Sequence, residues 1–233
     1  MALNPIGPAT GGMVVSCPSC QGRSTAKEGP YRGRHDIFSG LDLRRCAGCG
    51  LVFAHPMPSL LQWEEFNSRF FSDGAISIPE DREVLLFSRG MACLRLHHIE
   101  KHSGWTSLPT SVLEIGAGPG FFYREYITRE PEVCYAAVET DEGCQRMLRQ
   151  DGVEVFGRLG DIIETGNKYD LLVMSHVLEH VLDPRAFLRD ALRCLRPGGV
   201  VFIEVPCMDW EYKLLFNDHV LFFDKHSLGH LLE

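Results

Sequence analysis

The chain lacks any apolar run long enough to span a bilayer, and its opening, MALNPIGPATGGM, has neither a basic start nor a continuous apolar stretch. A membrane-spanning segment and a secretory signal are therefore not expected. Clusters of Lys and Arg are missing too. With 31 acids against 23 bases the formal net charge is −8, a balance that does not favour nucleic acid, whose affinity depends on cations neutralising phosphates. No internal repeat or low-complexity tract is present. The nine cysteines, without a secretory signal, point to a reducing, cytoplasmic setting rather than a disulfide framework. Hydrophobic residues make up 45% and charged residues 23% of the 233, enough for a well-buried core.

What is present divides into four parts. Residues 1–13 read as a flexible tail. Residues 14–56 hold VVSCPSCQG and LRRCAGCGLVFAHP, dense in Gly and without helical periodicity. Residues 57–104 form a helical linker or lid. They contain a short amphipathic segment, SLLQWEEFNSRFF, and a long helix after Pro79 in which Leu85, Leu86, Met91, Leu94 and Ile99 recur at roughly a helical period. Residues 105–233 alternate: SVLEI, CYAAVE, VEVF, YDLLVMS and VVFIEVP as strands, with helices between them. A polar loop separates the third and fourth strands, and Pro197-Gly198-Gly199 closes the helix before the fifth. Strands apolar on both faces that alternate with helices imply an α/β fold, a doubly wound, mostly parallel sheet.

HVLEHVLDP at 176–184 contains His176-x-x-Glu179-His180, a zinc-peptidase string. That chemistry needs both histidines on one helical face. Here the apolar run before Ser175 is a buried strand, and Asp183-Pro184 opens a helix only afterwards. The motif therefore falls on a strand-to-helix loop, and peptidase chemistry is not expected.

VLEIGAGPGFF is the most informative stretch. Gly116, Gly118 and Gly120 lie between a strand and a helix, where backbone can approach a ligand closely. The dinucleotide fingerprint G-x-G-x-x-G/A has Phe121 at its third small position, and the ring obstructs close helix–strand packing. Glu114, at the strand's carboxyl end, would repel a pyrophosphate and favour a cation. About twenty residues beyond the glycines stands Glu139, placed to accept from ribose hydroxyls. The site thus suits a ribose and a positive charge, without phosphate.

These residues, with GDI at 160–162, YDLLVMSHVLEHVLDP and LRPGGVVFIEVP, resemble the class I S-adenosylmethionine-dependent methyltransferases, a Rossmann-like family, over roughly residues 111–206. The resemblance implies that Glu114 and the loop Gly116-Ala117-Gly118 to Gly120 hold the amino-acid part of S-adenosylmethionine. It implies that Glu139 holds the ribose and Asp161 the adenine amino group. Ser175 and His176 would lie near the methionyl group and the reacting methyl.

Cys17-x-x-Cys20 and Cys46-x-x-Cys49 form two knuckles whose four thiolates suit a closed, tetrahedral, structural Zn2+ site, expected to hold residues 14–56 folded. A cysteine module before a methyltransferase core resembles the sugar C-methyltransferases, and more loosely certain ribosomal-RNA methyltransferases. The acidic balance favours the former. Asp218-His219 in FNDHVLFF resembles the E-H-x-S-Y-F segment near the active site of the sugar enzymes, with Asp for Glu and with Leu221 and Phe222 for Ser and Tyr. The resemblance makes His219, beside Asp218, the candidate base, with His176 its rival.

Chains of this class continue into two further strands, whereas HSLGHLLE ends in an expected helix. The expectation is a core short of its C-terminal strands. The activity expected is methyl transfer to a small molecule, such as a nucleotide-linked sugar. The alternatives are a zinc-ribbon binding or scaffold protein with a cofactor-binding but inactive core, and a ribosomal-RNA methyltransferase.

Overall fold

The computed structural model describes residues 15–69, 82–212 and 218–233. The expected tail at 1–13, the end of the linker's first helical segment, the start of its second and the FN of FNDHV lie outside the described residues.

Two sheets organise the chain. The larger is parallel throughout, with β4 (Ser111–Ile115), β5 (Cys134–Val138), β6 (Glu154–Phe156), β7 (Tyr169–Ser175) and β8 (Leu195–Glu204) in the order β6-β5-β4-β7-β8. The smaller is antiparallel, β1 (Thr25–Pro30), β2 (Asp42–Cys46) and β3 (Val52–His55) followed by β9 (Leu221–Phe222). The expected α/β class and parallel sheet are borne out, and the five strand segments read from the sequence are β4 to β8.

Side-chain alternation explains how the parallel sheet is covered. Leu113, Ile115, Ala136, Val138, Leu172 and Met174 enter one core. Val112, Ala137, Leu171 and Val173 enter the other, with Leu96 and Ile99 of α2 (Arg82–His102) and Phe122 and Tyr126 of α3 (Phe121–Ile127). Neighbours at i and i+1 point to opposite faces of a strand, so a sheet covered on both sides needs apolar residues at every position. Burying each of the larger side chains contributes roughly 1.5–3 kcal/mol.

The first core does not stop at the sheet. It runs without a break into Cys17, Cys46, Cys49, Leu51, Phe53 and Phe38 of the N-terminal segment. The ladder β3–β9, pairing Val52 with Phe222 and Phe53 with Leu221, ties that segment to the far end of the chain. On its other side the same stretch bridges Cys207 through Phe223. Residues 221–223 are therefore held between β3 and the segment that follows β8, and the smaller sheet takes a strand from beyond the boundary drawn at residue 56.

Three local expectations need correction. The expected polar loop after β6 contains a helix, α5 (Leu159–Thr165), one face of which buries Ile162. Strand β8 begins at Leu195, not Val200, so Pro197-Gly198-Gly199 belongs to the strand, and α6 (Pro184–Leu192) ends before it. The register slips between Tyr169 and Leu171, and a Cβ on Gly199 would lie 2.9 Å from the Asp170 carbonyl oxygen. The glycine is needed because backbone passes so close. On α2 the inward stripe is Ala92, Leu96 and Ile99, while Leu85, Leu86 and Leu94 are exposed. Positions 92, 96 and 99 share one face at i, i+4 and i+7, and that face meets α3. Among the described residues no helix is long and apolar enough to cross a membrane.

Candidate functional site

The chain winds from β4 outward to β6, then returns to β7 on the other side of β4. This reversal leaves a crevice beyond the carboxyl ends of β4 and β7, where open α/β sheets place ligands. A cleft of about 960 Å³ opens there. Its walls are the glycine loop, the ends of β5 and β7, the starts of α5 and α6, and α1 (Leu60–Ser68).

The glycine loop is shaped by left-handed backbone. Gly116 has φ +74°, and a Cβ there would sit 2.5 Å from Val177 Cγ2. Gly120, the N-cap of α3, has φ +83°, and its Cβ would meet Leu148 Cδ2 at 2.8 Å. Both positions therefore exclude a side chain on two counts, strain and space. Ala117 is buried against the α2–α3 core.

Glu139 is buried at the end of β5 and lines the cleft. Its Oε2 accepts from Gly118 N–H at 2.7 Å and its Oε1 from Asp141 N–H at 2.8 Å. Burial raises its pKa, and these two backbone donors oppose the shift. Glu114 behaves differently. It lies behind the loop, outside the cleft lining, and accepts from the Tyr135 hydroxyl at 2.7 Å. Burial pushes its carboxyl up to about 8, against the Tyr135 hydrogen bond and the nearby Arg95.

That shift has a consequence for stability. A carboxyl whose pKa is higher folded than unfolded binds more protons when folded, so its contribution is fully present below about pH 4.5 and is lost as pH rises towards 8. The effect is a few kcal/mol at most. Glu114→Gln should flatten the fall in urea midpoint between pH 6 and pH 8.5. An unchanged fall would show that another group causes it.

At the end of β7, Ser175 lines the cleft, and its buried Oγ has no hydrogen-bond partner among the described residues. His176 follows with φ +57°. Its Nδ1 is 3.1 Å from Glu179 Oε1, and its Nε2 lies 3.8 Å from Glu204 Oε1. The Glu179 hydrogen bond raises its pKa despite partial burial. Residues 178–180 form one 3-10 turn, so the H-x-x-E-H string indeed sits on a strand-to-helix connection. His180 is lowered to about 4 by burial.

Among the other predicted residues, His219 is buried and lines the cleft, within 4.9 Å, ring centroid to ring centroid, of His180. Asp218 does not line it. Its Oδ2 faces His35 Nε2 at 3.7 Å, and burial raises its pKa, opposed by the neighbouring His35 and Arg34. Asp161 is exposed and outside the lining, with Oδ2 accepting from Arg158 N–H at 3.0 Å as a helix cap. The structure thus brings together Gly116, Gly118, Glu139, Ser175, His176 and His219, and sets Glu114, Asp161 and Asp218 apart.

Sequence reasoning placed α1 in a linker or lid but did not identify the residues by which it walls the cleft, Leu60, Trp63, Glu64 and Asn67. Ser59 opens this helix with a capping box to Gln62. Trp63 is the helix's one buried residue, and its Nε1 donates to the His180 carbonyl at 2.6 Å. Among the described residues Arg158 is the one guanidinium in the lining, against the carboxylates of Glu64, Glu139, Asp183 and Asp190. So acidic a cleft attracts a cation and disfavours a pyrophosphate.

The four cysteines gather as expected. Cys17 Sγ lies 3.6 Å from Cys49 Sγ, and Cys20 Sγ 3.4 Å from Cys46 Sγ. Sulfurs ~2.3 Å from one zinc ion stand about 3.8 Å apart in a tetrahedron, so the donor set fits such an ion. Each knuckle closes the same way, with Gln21 N–H donating to the Cys17 carbonyl and Gly50 N–H to that of Cys46.

Comparison with known proteins agrees with this geometry. Residues 87–233 match a family described as a methyltransferase domain. A ubiquinone biosynthesis O-methyltransferase from Idiomarina loihiensis is 28% identical over 140 residues, covering 55% of this chain and 56% of that protein. One of the same description from Parvibaculum lavamentivorans is 50% identical over 38 residues, 16% of this chain and 15% of that protein. The aligned stretches thus span less than two thirds of either relative. Among solved structures, a SAM-dependent methyltransferase from Thermotoga maritima, described as a possible histamine N-methyltransferase, has a TM-score of 0.52 at 21% identity, over 73% of this chain and 78% of that one. The likeness establishes the fold.

Proposed function

Because the chain belongs to the methyltransferase-domain family, we propose that it transfers a methyl group from S-adenosylmethionine to a small-molecule acceptor. The observation that carries this reading is the acid-lined crevice at the switch between β4 and β7, with Glu139 at its edge. Bound there, S-adenosylmethionine supplies a methyl group on a cationic sulfonium.

The chain's own residues divide the remaining work. Glu139 takes the ribose hydroxyls. The loop from Gly116 through Ala117 and Gly118 to Gly120 offers backbone to the amino-acid part, and Glu114 supports that loop from behind. Ser175 Oγ, buried without a partner among the described residues, turns to the methionyl end. Asp161, which caps the helix that supplies Arg158 and Leu159 to the cleft, is assigned the adenine amino group. His219 is the candidate base and His176 its rival, both lining the cleft, and Asp218 stands beside His219 and faces His35. A nucleotide-linked sugar is the acceptor class suggested by the cysteine module beside this core. A structural zinc ion on Cys17, Cys20, Cys46 and Cys49 completes the assignment.

Calorimetric titration with S-adenosylhomocysteine tests the donor side. The chain should bind it in the micromolar range, and Glu139→Ala should weaken binding at least tenfold, in line with the loss of charge-assisted hydrogen bonds. Equal affinity in the two proteins would remove Glu139 from the site.

A further inference from the structure

Beyond the four cysteines, one other cluster of metal-ligating side chains occurs among the described residues. Glu179, His180 and His219 place a ligand atom each within 4.8 Å of one another. We propose that these three residues bind a divalent transition-metal cation in the wall of the cleft, with open coordination positions that take an oxygen of the methyl acceptor.

Three observations support the site. First, the donor set is one carboxylate and two imidazoles, a combination that suits zinc, manganese, iron or cobalt and, with three protein ligands, leaves coordination positions open. Second, Glu179 is almost fully buried, at 1% exposure, and its two oxygens differ. Oε1 meets His176 Nδ1 at 3.1 Å, whereas Oε2 has no hydrogen-bond partner among the described residues. A buried, unsatisfied carboxylate oxygen is costly unless a charge faces it.

Third, the backbone of each ligand residue is pinned from a different part of the chain. The Tyr31 hydroxyl donates to the His219 carbonyl at 2.6 Å. Trp63 Nε1 donates to the His180 carbonyl at 2.6 Å. Val220 N–H donates to the Glu179 carbonyl at 2.9 Å. Tyr31 and Trp63 belong to the N-terminal part and Val220 to the stretch before β9, so distant segments converge to fix three side chains. Support of this kind holds a first coordination shell in place.

His180 and His219 line the cleft, so an ion beside them faces the space left for an acceptor. A hydroxyl bound to such an ion is acidified towards neutral pH. Its proton passes to the imidazole of His176, and the O–H bonding pair stays on the oxygen. The acceptor class is therefore a hydroxyl compound, and His219 serves the ion while His176 is the base. The ion site stands on the cluster itself; only the acceptor assignment rests on the methyl-transfer reading.

The test is Co2+ titration of the full chain with zinc already on its cysteines, followed by absorption, with zinc content measured in parallel. One further equivalent should bind, with ligand-field bands and no thiolate charge-transfer band. Glu179→Gln, which preserves shape, and His219→Gln should each weaken Co2+ binding at least tenfold while zinc content stays constant. Absence of a further equivalent, thiolate bands alone, or affinity unchanged in both variants would overturn the proposal. Titration with S-adenosylhomocysteine on the same samples separates the two readings. Co2+ binding without it leaves the ion site standing and removes the methyl donor, and the reverse result does the opposite.

Discussion

Stripping the zinc proposed on the four cysteines with a strong chelator should expose residues 15–55 to protease, and Cys46→Ser should do the same without a chelator. In small modules held by such an ion, binding contributes on the order of 10–16 kcal/mol to folding. In this chain the loss should spread. Cys17, Cys46 and Cys49 belong to the same buried cluster as Leu113, Leu172 and Met174 of the parallel sheet. Strand β3, which directly follows the second knuckle, carries β9 on its edge. Loss of the knuckles therefore frees Leu221 and Phe222, and with them His219, whose carbonyl is also held by Tyr31 from the same module. The expected outcome is a lower thermal midpoint for the whole chain, together with loss of methyl transfer. The opposite core, built by Leu96, Phe122 and Tyr126, has no part in the module and should keep its helical signal longest. Unchanged protease resistance after complete metal removal would contradict this account.

Gly116→Ala should have the second-largest effect, reducing affinity for S-adenosylhomocysteine by about a hundredfold or more, which corresponds to ~2.7 kcal/mol. A side chain at φ +74° costs roughly 1–2 kcal/mol in backbone strain alone. The new Cβ would also stand 2.5 Å from Val177 Cγ2. Val177 must move, and it directly precedes the turn Leu178–His180. Loop and turn would shift together, narrowing the cleft from the β4 side. Gly104→Ala provides the control, because φ there is +75° and nothing lies within 4 Å of its Cβ. That variant should lose ~1 kcal/mol of stability and keep its affinity. Equal binding losses in both would mean that strain, not the Val177 contact, governs the site.

Much of this arrangement was legible in the sequence wherever the signal is local. Strands β4 and β7 are buried at nearly every position because helices or the N-terminal module cover both faces, so the apolar runs in SVLEI and YDLLVMS stand out. Gly116 and Gly120 mark a turn that tolerates no other residue, and the paired cysteines announce their convergence by spacing. What escaped detection depends on distant pairing. Leu221-Phe222 is only two residues long, and its partners Val52 and Phe53 are far away in the chain. Nothing near Trp63 indicates that its indole reaches His180. Helix α5 is seven residues long with Gly160 inside it, too short to show periodicity. Glu114 pairs with Ala137, two residues short of Glu139 along the sheet, so burial and Tyr135 hold the first behind the loop while Gly118 and Asp141 hold the second at the cleft's edge. Asp161, which the resemblance pairs with adenine, also caps α5 through its Oδ2, a local contact that its sequence neighbours do not announce.

The central claim is that the crevice beside Gly116 and Glu139 receives a positively charged nucleoside and rejects a pyrophosphate. Parallel calorimetric titrations of the full chain with S-adenosylmethionine, whose sulfonium carries the positive charge, and with a nicotinamide dinucleotide test it most directly. The account predicts saturable binding of the first and none of the second. Saturable binding of the dinucleotide alone would contradict it.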